Sequence, residues 1–288
     1  MLTLSKEQKR FIREGADERQ SLIDSIEVAI NLSSRRRKHT LLYSPTGLGK
    51  SRNIKRMCER KGIPHEVISG KSTLYQIALK LLVLRYLIPD GEQMVIIFDD
   101  FDMFFKNQEM MNVLKNMIEG EEAFAYEVGV NESQLTNVQL EAYKKYKSKY
   151  AKGFTVPCDQ FTFVVTTNFM LPFDSQVEKV REKEGSSSKA DKLDSLAAFR
   201  SRFRTQDFHI SREVRWGWLS HVLIEDNLYE ELNDEQRLIM ADFIWNHRDV
   251  MKEMNLRTLE KMGDDMLDFP NDYRDRWEKN YTNRNIKF

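Results

Sequence analysis

Apolar positions along the chain follow two rhythms. Across residues 6–34, Leu22, Ile23, Ile26, Val28, Ala29 and Leu32 recur close to every 3.6 positions. That spacing predicts an amphipathic helix, ended by the basic run Arg35-Arg36-Arg37-Lys38. A short unbroken apolar stretch, Thr40-Leu41-Leu42-Tyr43, predicts a buried strand that enters a glycine-rich turn. Residues 51–61 read as helix, Gly62-Ile63-Pro64 breaks it, and Glu66-Val67-Ile68 reads as a second strand. A long apolar helix is predicted over 72–87, a turn at Pro89-Asp90-Gly91, and a buried strand over 94–98. Another helix over 108–119 leads into a polar, charged segment from 120 to 153, and a strand follows over 161–166. Gly185-Ser186-Ser187-Ser188 is the most linker-like stretch, and from about Glu213 the pattern is mostly helical. Strands alternating with helices predict a parallel sheet covered on both faces, and the helical tail predicts a small separate bundle.

Composition narrows the classes. Apolar residues make up 41% and charged residues 31% of 288, the balance of a folded chain long enough to bury a real core. Net charge is zero, so contact with nucleic acid has to come from local patches. The two cysteines, Cys58 and Cys158, show no zinc spacing, which fits a reducing compartment. No apolar run approaches the roughly 20 residues of a membrane span, and residues 1–13 lack the apolar centre of a signal peptide. The expectation is a cytoplasmic protein without a membrane contact.

The turn after the first strand, Ser44-Pro45-Thr46-Gly47-Leu48-Gly49-Lys50-Ser51, carries the chemistry. A backbone loop that wraps phosphates needs glycines for close approach and must open into a helix whose N-terminus favours negative charge. Gly47 and Gly49 meet the first need. Lys50 reaches the outer phosphates and the Ser51 hydroxyl ligates magnesium. Ser44 stands where this pattern has glycine. The apolar run Val95-Ile96-Ile97-Phe98 ends in Asp99-Asp100, which places acids at a sheet edge: Asp99 for magnesium and Asp100 to orient and deprotonate a water.

With these motifs the chain resembles the AAA+ ATPase family, over about residues 15–265. The resemblance implies an α/β P-loop core with a five-stranded parallel sheet flanked by helices, over residues 1–211. A C-terminal all-helical lid over 212–288 is implied as well. It implies Mg-dependent ATP hydrolysis, with ATP and Mg2+ bound. The strand over 161–166 runs into Thr167-Asn168, as the family's sensor 1 strand does, which makes Asn168 the residue at the attacking water or γ-phosphate. Alternatively, Asn168 only caps a turn. Ala198-Phe199-Arg200-Ser201-Arg202-Phe203 is similar to the segment that sends an arginine finger into a neighbouring subunit. Arg202 matches best, Arg200 and Arg204 compete, and a plain basic surface is the other reading. Asn255-Leu256-Arg257-Thr258 is similar to the sensor 2 segment, with Arg257 directed at the γ-phosphate; a surface ion pair is the alternative. A finger acting in trans implies a homo-oligomer, a hexameric ring.

The substrate of such a motor is set by insertions. Excess length lies near 121–156, where Tyr143 to Lys152 hold five lysines and three tyrosines without an acid. On a helix, Tyr143, Tyr146 and Tyr150 share a side, with Lys144, Lys145, Lys147 and Lys149 beside them. Lysines bind phosphates and tyrosines stack on bases, which points to DNA. The bland alternative packs the tyrosines on the core and leaves the lysines solvated, and the same choice applies to residues 35–38. A motor or loader acting on DNA, in the setting of small single-module ATPases of bacteriophages and bacteria, is the first expectation. A protein-remodelling or scaffold ATPase acting on a protein partner, with slow hydrolysis because Asp100 stands where glutamate is usual, is the second.

Overall fold

The computed structural model describes residues 3–31, 39–69, 71–106, 108–119, 124–126, 129–147, 153–185, 187–226 and 228–283. The basic run 35–38, Lys149 and Tyr150 lie outside them. Two compact units are distinguished, one of residues 26–44 and 51–207, the other of residues 1–25, 45–50 and 208–288.

The first unit is built on a five-stranded sheet, all of whose pairings are parallel. Its strands are β1 (Thr40–Tyr43), β2 (His65–Ser69), β3 (Met94–Asp99), β6 (Phe161–Thr167) and β7 (Arg204–Asp207), in the order β2-β3-β6-β1-β7. All seven residues of β6 are buried, as are Val95 to Phe98 of β3. Strands covered on both faces are continuous apolar runs, the signal by which the sequence shows them. The edge strand β7, Arg-Thr-Gln-Asp, pairs on one side only and carries no such run. Helices α2 (Lys50–Lys61), α3 (Leu74–Leu87), α4 (Gln108–Glu119), α5 (Asn137–Tyr146), α6 (Asp174–Glu184) and α7 (Ser188–Arg200) accompany the strands. Thr73 begins α3 with a reciprocal capping box to Gln76, and Ile77, Ala78, Leu81 and Leu82 sink fully into the core.

The polar segment 120–153 is not featureless. It holds α5 and one strand of a two-stranded antiparallel ribbon, β4 (Phe124–Tyr126) with β5 (Phe154–Val156), and both α5 and β5 pack against α3. Of the linker-like stretch 185–188, Gly185, Ser187 and Ser188 belong to helix ends. Gly185 ends α6 at φ 67°, Ser187 caps α7 by accepting the Ala190 N–H, and the two helices pack as a hairpin.

The second unit is helical: residues 6–25 of α1 (Lys6–Ala29), with α8 (Arg212–Ile224), α9 (Asp234–His247), α10 (Leu256–Asp268) and α11 (Tyr273–Tyr281). The helix predicted to run to Ser34 ends at Ala29. Trp216 and Trp277 are wholly buried and donate to the carbonyls of Ala241 (2.7 Å) and Met262 (3.1 Å), so neither indole N–H is stranded. α1 crosses α8 at Gly15 and Gly217. A Cβ on Gly217 would stand 1.8 Å from the Phe11 carbonyl oxygen, so the crossing exists only because that side chain is missing.

Candidate nucleotide site

The turn after β1 is tight and glycine-bearing, and it opens directly into α2. The Ser44 N–H still belongs to the sheet, donating to Thr167 O at 3.4 Å, and Ser44 is fully buried. A serine therefore fits where the pattern has glycine. Gly47 and Gly49 then take φ values of 76° and 80°, the left-handed region that a side chain disfavours. Lys50, the first residue of α2, is buried and folds its ammonium back to Pro45 O at 3.3 Å, so the loop closes around its own lysine. Thr46 is exposed and Leu48 is buried.

Gly47 has a second reason to be glycine. Leu256 donates its N–H to Gly47 O at 3.1 Å, and a Cβ at Gly47 would lie 2.2 Å from Asn255 Cβ. Asn255 caps α10, accepting Thr258 N–H at 2.9 Å and the Thr258 hydroxyl at 3.1 Å. Arg257 is exposed in the first turn of the same helix, two residues past the contact with the loop.

The carboxylate half is assembled from three elements. Ser51 in α2 donates its hydroxyl to Asp99 Oδ1 at the end of β3, and Thr166 on the neighbouring β6 donates to the same oxygen at 3.0 Å. Asp100 follows at φ 53°, strained for a residue with a side chain, and its N–H is taken by Thr166 Oγ1 at 3.3 Å. Its exposed carboxylate accepts Asn168 Nδ2 at 3.2 Å. Asp102 completes the group: Oδ1 accepts the Thr167 hydroxyl (2.6 Å) and the Asn168 N–H (3.0 Å), and Oδ2 accepts Asn168 Nδ2 (3.3 Å).

Ser51, Asp99, Asp100 and Asn168 are thus brought together. Thr166 and Asp102 are part of the cluster without having been singled out from the sequence. Among the described residues no group of three or more His, Cys, Asp or Glu is arranged to hold a metal ion. The hydroxyl of Ser51 and the carboxylate of Asp99 are hard oxygen donors side by side, the donor set a magnesium ion accepts when phosphate and water complete its shell.

The arginines after α7 differ from one another. Arg200 is buried and bidentate to Asp207 of β7, donates to Leu171 O at 3.2 Å, and stacks 4.0 Å from the Phe173 ring centroid. It is a bolt within its own chain. Arg202 is half-buried and folds onto Ala198 O at the end of α7, while Arg204 is exposed.

For Tyr143 and Tyr146 the structure matches the core-packing alternative, while Tyr150 lies outside the described residues. Tyr143 is buried, its ring edge-on to Phe154 at 6.2 Å, and the partly buried Tyr146 packs against the same core. Lys144 pairs with Glu141 and Lys147 with Glu132, while Lys145 lies over the rings of Tyr86 and Tyr146. Among the described residues no helix is long and apolar enough to cross a membrane. No protein-family model matches the chain, and no curated protein does.

Proposed function

We propose that the chain binds and hydrolyses Mg-ATP as an AAA+ ATPase, in an oligomer whose neighbouring subunit supplies Arg202. The observation that carries this reading is the hydrogen bond from Ser51 to Asp99. The hydroxyl after the loop lysine meets the first acid of a buried strand, and nothing in local sequence requires those residues to be neighbours. Sheet order supports it too. β6 runs between β1, which leads into the loop, and β3, which ends in the acids, so Asn168 emerges beside Asp100.

In this reading the loop N–H groups and Lys50 bind the phosphates. Ser51 and Asp99 would hold the magnesium ion, which when bound would neutralise phosphate charge. Asp100 accepts the proton of the attacking water, and Asn168 holds the Asp100 carboxylate by Oδ1. Arg257, exposed beside the loop, is the sensor directed at the nucleotide. Among the described residues Tyr143 is buried, so the proposal stops at nucleotide hydrolysis and does not extend to DNA.

Titration with a fluorescent ATP analogue and a phosphate-release assay test it. Wild-type protein binds in a magnesium-dependent manner, and Lys50→Ala weakens binding by about 100-fold. Asp100→Asn keeps the affinity but loses about 10²- to 10⁴-fold in kcat, the range for removing a general base. A wild-type protein that fails to bind ATP at millimolar concentration overturns the reading.

A further inference from the structure

We infer that Asp102 is the positioning residue that sets which end of the Asn168 amide faces Asp100, an inference that rests on the proposed hydrolysis. The two ends of an asparagine amide have nearly the same shape, so only hydrogen-bond partners decide its orientation. Asp100 by itself offers one contact from an exposed side chain, 3.2 Å from Nδ2. Asp102 is half-buried and grips the same residue twice, at the backbone N–H (3.0 Å) and at Nδ2 (3.3 Å). It also holds the preceding Thr167 hydroxyl at 2.6 Å, and that hydroxyl accepts the Phe169 N–H at 2.9 Å. Backbone and side chain at the tip of β6 are therefore clamped by one carboxylate. With an acid on either side, Asn168 spends both amide protons, one on Asp100 and one on Asp102. Turning the amide over would aim its oxygen at two carboxylates. Asp102 thus ensures that Asp100 meets a donor, and it fixes Asp100 relative to the water whose proton it takes.

Asp102→Asn separates this role from simple anchoring. The new side chain keeps an oxygen for the Thr167 hydroxyl and the Asn168 N–H, the two shorter bonds, but turns an NH2 group toward the Asn168 NH2. If Asp102 orients the amide, Asp102→Asn binds the fluorescent ATP analogue within about threefold of wild type. Its kcat then falls about 10- to 100-fold, the loss that small misplacements of reacting groups produce, to the level of Asn168→Ala. The double variant then lies no lower than Asn168→Ala, because both changes remove one interaction. A wild-type kcat in Asp102→Asn, or a double variant whose loss is the product of the two single losses, overturns the inference.

A second readout needs no nucleotide. The side-chain amide proton pair of Asn168, assigned in an NMR spectrum by its disappearance in Asn168→Ala, is protected from solvent exchange in wild type and exchanges freely in Asp102→Asn. Unchanged protection overturns the inference as well. If wild type fails to bind ATP, the hydrolysis reading falls, while the exchange measurement still decides whether Asp102 holds the amide.

Discussion

A single methyl group added at Gly47 would drive into Asn255, whose Cβ lies 2.2 Å from where it would stand, and would sit at φ 76°. The left-handed backbone and the overlap together cost about 3 kcal/mol. Gly47→Ala is expected to lose that much stability in urea. Asn255→Gly added to it recovers the steric part, since glycine replaces a capping asparagine for only a few tenths of a kcal/mol. Cys58 gives a pH prediction. Burial, with a smaller contribution from Glu59, pushes its thiol up from 9.0 to about 11. The folded chain holds this proton after the unfolded chain has released it. Stability is therefore intact below about pH 9 and falls as pH rises toward 11, by at most about 1.4 kcal/mol per pH unit. Cys58→Ala flattens that stretch of the curve of unfolding free energy against pH. Lys50, Ser51, Asp99 and Asp100 were legible because loop and strand motifs are contiguous. Thr166, Asp102 and Asn255 were not, since each matters through a residue far away in the chain: Asp99, Asn168 and Gly47.

Elements show the same divide. β1, β3 and β6 announce themselves by apolar runs because parallel strands in mid-sheet are buried on both faces. β7 is held instead by pairing with β1 along one side and by the Arg200–Asp207 pair, which ties the end of α7 to the sheet edge. No local pattern encodes that arrangement, and the same holds for β4 and β5, too short to carry an alternation. Breaking a buried ion pair from one side leaves the other charge stranded. Arg200→Leu is expected to destabilise the fold by about 3–5 kcal/mol in urea denaturation. Replacing Asp207 by leucine in the same chain restores most of the loss. The tyrosines of α5 left two readings open: a helical spacing that suits a stacking face suits core packing equally well, and Tyr143 packs against Phe154.

For the whole molecule, the proposal makes each active centre the property of two chains. Subunits with Arg202→Ala and subunits with Lys50→Ala are each inactive alone. Mixed, they form junctions in which an intact loop meets an intact arginine, and a fraction of wild-type phosphate release returns. Absence of rescue at every mixing ratio contradicts a finger acting in trans. The compact unit that contains residues 45–50 also contains residues 208–288. The N–H that binds Gly47 O belongs to Leu256, about two hundred residues further along the chain. A nascent chain therefore carries this turn without that bond until α10 has been made. On the proposed reading, nucleotide affinity then marks a chain whose translation has passed α10.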